Sequence, residues 1–78
     1  MSRSIQLIAA DIRDDWTNVS GSAEPFLVAM ESLDSIHDSY MLDSAVEIVA
    51  KFLDAARTWK GPTAQEIKAE LRDILDAA

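Results

Sequence analysis

The sequence contains no cysteine, one histidine, two glycines and two prolines in 78 residues. Without cysteine there is neither a disulfide nor a thiolate metal site. A single imidazole, His37, leaves little for a transition-metal centre. Two isolated glycines, Gly21 and Gly61, exclude a glycine-rich phosphate loop. No apolar run approaches the roughly 18 residues of a bilayer span. The opening M-S-R-S-I-Q-L-I-A-A-D meets charge too early for a signal peptide. A soluble chain in a reducing cytoplasm is expected. The length suits one domain, residues 1–78, with a thin stability margin. Where disulfides and metals are missing, a partner subunit is the remaining support at this size.

Positive charge is scarce too, and unevenly placed. The net charge is -7, and residues 14–50 hold no Lys or Arg. That segment carries eight acids: Asp14, Asp15, Glu24, Glu31, Asp34, Asp38, Asp43 and Glu47. A basic nucleic-acid footprint is missing. Lys51, Arg57, Lys60, Lys68 and Arg72 are the cations available for a DNA-binding patch, and five acids of the same C-terminal half balance them. Direct nucleic-acid binding is therefore not expected. The ordinary role of an acidic surface is solubility; its sharper use is to dock a basic partner.

Apolar residues make up 49% of the chain, enough to exclude disorder by composition. Their spacing is helical. In residues 4–17, Ile5, Ile8, Ala9, Ile12 and Trp16 share one arc, with Trp16 as its anchor. A second helix starts near an N-cap at Ser22, with Glu24 and Pro25 in its first turn. Phe26, Met30 and Leu33 form its stripe, with Ala29 at the edge. Leu27 and Val28 lie off that stripe, as Leu7 does on the first helix. Scattered apolar residues are ordinary on a surface; together, Leu7, Leu27 and Val28 are the candidate partner-binding residues.

The third helix opens on the capping box S-A-V-E, residues 44–47, and runs to about Trp59. Val46, Val49, Ala50 and Leu53 make one apolar face; Ile48, Phe52, Ala55 and Trp59 make another. A helix this apolar is expected at the centre of the fold. Tyr40, Met41 and Leu42 precede it as a hydrophobic staple. The segment W-K-G-P-T-A-Q-E, residues 59–66, reads as a corner. Lys60 suits a helix C-terminus, Gly61 a left-handed cap, Pro62 a stop, and Thr63 with Glu66 a second capping box. Ala64, Ile67, Leu71, Ile74 and Ala78 line the fourth helix. The spacing predicts an all-α fold, a compact bundle of about four short helices with helix 3 central.

Catalytic constellations are missing. Asp34, Asp38 and Asp43 lack the spacing of a calcium loop. His37 has no second group to orient it in a triad, so a structural or exposed role is expected. No enzyme activity, no cofactor and no metal site are expected.

Two resemblances bear on function. L-D-S-A-V-E-I-V, residues 42–49, resembles the attachment motif of acyl carrier proteins, in which a Ser after Asp at a helix start carries phosphopantetheine. Ser44 takes that position. The family pattern differs in having Leu directly after the Ser, a later V-E-L run and a long loop before the last helix. The pieces D-D-W-T-N-V, A-E-P-F-L-V-A-M, D-S-A-V-E-I-V-A-K-F-L and W-K-G-P-T-A-Q-E-I-K-A-E-L resemble a family of small uncharacterised helical proteins from actinobacterial phages, across most of residues 8–71. That resemblance implies a phage origin and a bacterial host's cytoplasm, and it assigns no functional residue.

The functional expectation is a non-enzymatic accessory protein acting through protein–protein interaction, with itself as a homodimer or with another protein. The alternative is an acidic nucleic-acid mimic that regulates a DNA-binding protein, with an acyl-carrier-like role behind it.

Overall fold

The first helix begins where its cap says it should. Ser4 is extended (φ -64°, ψ 151°), and its hydroxyl accepts the Leu7 N–H at 3.2 Å, opening α1 (Ile5–Asp15). Two further first-turn donors, orphaned within the helix itself, are satisfied from outside it. The Ile5 N–H reaches the Asp34 carbonyl at 3.2 Å and the Gln6 N–H the Leu33 carbonyl at 2.8 Å. These bonds tie the start of α1 to the chain leaving α2 (Glu24–Met30). A short antiparallel pairing of β1 (Ser39–Tyr40) and β2 (Asp43–Ser44) leads into α3 (Ala45–Ala55), and α4 (Pro62–Ala77) completes the fold. The computed structural model describes residues 3–40 and 43–77. The expected staple rests on Met41 and Leu42, which lie outside the described residues, as does Ala78.

The expected all-α bundle of four helices is found. Helices pack in the cyclic order α1–α2–α3–α4, with α4 returning to α1. α3 packs against α2, α4 and β2, more elements than any other helix touches. The radius of gyration is 11.2 Å, close to the ~11.5 Å expected of a compact chain this long. One core holds Ile5, Ile8, Ile12, Leu27, Phe52 and Leu71 among its largest members. No polar or charged side chain is buried among the described residues, and none of their buried side-chain polar atoms lacks a partner.

Several local expectations are corrected. Ser22 does not cap α2. The cap residue is Ala23 in helical conformation with no side-chain bond, because the Ser20 carbonyl already accepts the N–H groups of Ala23 and Glu24 at 3.1 and 3.0 Å. Leu27 is not on the surface: it is 0% exposed, with Ala23 and Met30. Phe26, expected inside, is half-buried. Met30, Leu33 and Ala29 of the expected stripe are buried, and the buried arc widens to take in Leu27 and Ala23. The opposite face carries a clamp. Arg13 of α1 donates to Glu24 at 2.7 Å and to Glu31 at 2.9 Å. Residues seven apart share a helix face, so Glu24 and Glu31, with Val28 between them, share the outward face of α2.

α3 ends at Ala55 rather than Trp59. Its first predicted face is partly exposed at Val46 and Ala50, since the ring packs α3 along Ala45, Ile48, Val49, Phe52 and Ala56 instead. Thr63 does not cap α4. Pro62 is its first residue and the Gly61 carbonyl accepts the Gln65 N–H at 3.0 Å, so Thr63 lies inside the helix. Proline has no N–H to leave unsatisfied and a fixed helical φ, which favours it at this position. Gly61 has a positive φ of 112°, but it leads into α4 and does not cap α3, whose C-cap is Ala56.

Candidate functional site

The three candidate partner-binding residues are not brought together. Leu27 is in the core. Leu7 and Val28 are exposed, at 58% and 44%. At about 100° per residue, Leu7 shares a stripe with Asp11 and Asp14, while Val28 shares the Glu24–Glu31 stripe beside Arg13. Val46 of α3, 39% exposed, was missed; its wide apolar helix gave no sign of which flank the ring would leave open.

Leu7's stripe borders a groove between α1 and α4. The groove encloses about 390 Å³ and is lined by Asp11, Asp14, Asp15, Glu66 and Glu70, with Arg3 as its cation. Arg3 is held there by Asp11 and by Glu70 at 2.7 Å. Asp15 accepts the Trp59 indole N–H at 2.8 Å. Asp14 and Glu66 are exposed and make no ion pair among the described residues.

Topology assembled this groove from two distant parts of the chain. The Lys/Arg-free segment 14–50 contributes two of its acids. The others of that segment are spread elsewhere. Glu24 and Glu31 flank Arg13. Asp38 accepts the N–H groups of Asp34 and Ser35 at 2.9 and 3.2 Å. Glu47 is exposed on α3.

Arg13's hydrogen bond holds the Glu24 carboxyl below its ordinary range. A carboxyl depressed in the folded state stabilises the fold above its unfolded pKa, and that contribution is lost as pH falls through the folded value. Accordingly, Glu24 is expected to titrate below an exposed glutamate in an NMR pH series. Arg13→Met is expected to return it to the ordinary range and to flatten this part of the acid dependence. A Glu24 midpoint that ignores Arg13→Met would refute the clamp.

On the opposite side of the ring, α2 and α3 border a second groove of about 680 Å³. Its floor is Phe26, Ala50 and Ala55, and its rim carries Lys51, Asp54 and Arg57. Arg57 pairs with Asp54 at 2.9 Å, both largely exposed, so the pair contributes little. Lys51 makes no ion pair among the described residues. A third groove, about 450 Å³, lies where the start of α1 meets residues 34–37 and the end of α4. Ile5, Ile36 and Ile74 line it, with His37 exposed at its edge.

The W-K-G-P-T corner is built as packing. Trp59 is 3% exposed, stacks on half-buried Trp16 at 5.6 Å between ring centres and meets Phe52 edge-on at 6.5 Å. Lys60 is not in the last turn of α3, which ends earlier. Lys68 instead reaches the corner beyond that end. Its ammonium donates to the Trp59 carbonyl and sits 5.8 Å from that ring's centre, within reach of the ring's negative face. Burial, with the nearby Arg72 and Lys60 charges, lowers its pKa. The five C-terminal cations thus divide into Lys51 with Arg57 and Lys60 with Lys68 and Arg72.

Ser44 is the N-cap of α3, its hydroxyl accepting the Glu47 N–H at 3.2 Å. Ser44→Ala is expected to cost ~1 kcal/mol in urea unfolding, as lost caps do; no loss would show that the cap carries no stability.

Among the described residues, no three His, Asp or Glu side chains gather to hold a metal ion, and no helix is long and apolar enough to cross a membrane. Comparison with protein-family models, with curated proteins and with solved structures returns no match.

Proposed function

We propose that this chain is a small non-enzymatic accessory protein, of phage type and working in a bacterial host's cytoplasm, that acts by binding protein. The observation that carries the reading is Leu7, a leucine 58% exposed on the stripe that borders the carboxylate-lined α1–α4 groove. An apolar side chain flanked by charge is the composition of a contact patch, where the apolar part supplies affinity and the charges supply orientation and association rate.

Affinity capture from an actinobacterial lysate, comparing wild type with Leu7→Asp, tests it. A specific protein retained by wild type and lost from Leu7→Asp is expected. Equal retention by both, or no specific protein, contradicts the reading.

The nucleic-acid-mimic reading requires the acids of segment 14–50 to form one face; they are scattered, and what remains for it is the α1–α4 groove. Of the segment 14–50, the acids Asp14 and Asp15 serve it, joined by Asp11, Glu66 and Glu70. A basic DNA-binding protein among the captured partners, displaced by duplex DNA, would favour that form of the reading.

A further inference from the structure

The α1–α4 and α2–α3 grooves lie on opposite sides of the ring, because these are opposite helix pairs in its cyclic order. Their chemistry is complementary. One has five carboxylates to one guanidinium, with exposed Leu7 on the bordering stripe. The other has two cations to one carboxylate around an apolar floor of Phe26, Ala50 and Ala55. We propose that the α2–α3 groove receives the α1–α4 face of a second copy of this chain. Leu7 packs on the Phe26 floor, and Asp14 and Glu66 face Lys51 and Arg57.

Charge selects this occupant. The chain carries -7 overall, so two copies repel unless a cationic surface meets an anionic one. Lys51 and Arg57 rim an apolar-floored groove that supplies such a surface on α2 and α3. The contact joins two different faces, so it is head-to-tail. Such a contact closes into a ring or continues as a chain of copies, and it does not stop at a two-fold dimer. The interface is small, with one leucine as its apolar anchor, and it forms at high protein concentration.

The inference deepens the protein-binding reading by naming one partner, and it fails separately: a chain that captures a host protein yet never self-associates overturns the self-contact alone.

Sedimentation velocity across a concentration series on the full chain tests it. The wild-type mass is expected to rise with concentration. Leu7→Ser is expected to weaken association about tenfold, as loss of one buried leucine implies. K51E/R57E and D14K/E66K, all at exposed positions, are each expected to remain monomeric, and mixing the two is expected to restore association by re-pairing reversed charges. A wild type monomeric throughout would overturn the proposal. So would association untouched by either charge reversal, or a mixture of the two variants that stays monomeric.

Discussion

Trp59→Ala is expected to be among the most damaging single substitutions in the chain, at about 3–5 kcal/mol. A domain of this length has roughly 4–12 kcal/mol in total, so the variant is expected to lose a large share of its stability. Three contacts vanish together: the stack on Trp16, the edge contact with Phe52, and the ring beneath Lys68. The indole bond to Asp15 is lost as well. Asp15 is exposed and water replaces that partner, so most of the cost belongs to the ring. Trp59→Phe separates the parts. It keeps an aromatic core residue and is expected to cost less than half as much. Urea unfolding followed by far-ultraviolet circular dichroism reads both. Equal stability of wild type and Trp59→Ala would return the corner to consideration as a ligand site.

The second large effect distinguishes two neighbours in sequence. Leu27→Ala is expected to cost about 2–5 kcal/mol, the range for a buried leucine. Val28→Ala is expected to stay within about 0.5 kcal/mol, as exposed changes do. Leu27 is 0% exposed and Val28 44%. The same unfolding measurement applies. A reversed order would mean that α2 sits in the phase its apolar pattern suggested, with Phe26 inside.

That pattern shows where sequence reading stops. In α1 the apolar residues are interrupted by charged and polar ones, so the spacing of Ile5, Ile8, Ala9 and Ile12 defines a single face, and those four are buried. In α2 the run P-F-L-V-A-M is apolar at every position, and seven residues make barely two turns. Periodicity has nothing to discriminate there. Arg13 bridges Glu24, eleven residues away, and Glu31, eighteen away, through contacts that no local pattern encodes. Helix caps were legible where one residue decides them, as at Ser44. They were illegible where two rules compete, as at Thr63, where the proline before it starts the helix first.

The candidate site was less legible than the fold. Leu7 and Val28 were identified as surface residues from their distance off the stripe, a local property. The α1–α4 groove was not, because Asp11, Asp14 and Asp15 lie far along the chain from Glu66 and Glu70. Only the packing of α4 on α1 makes them neighbours. The like-charge pair of Glu66 and Glu70, one turn apart on the last helix, was the available signal.

An amide NMR dilution series on the wild-type chain bears most directly on the central claim that one outer groove receives the opposite face of a second copy while the tryptophan corner is structural. Concentration-dependent shifts are expected at Leu7, Asp14 and Glu66 on one side and at Phe26, Lys51 and Arg57 on the other, with the Trp59 indole signal unmoved. Shifts centred on the Trp59 indole, or a spectrum unchanged from dilute to concentrated protein, would contradict it.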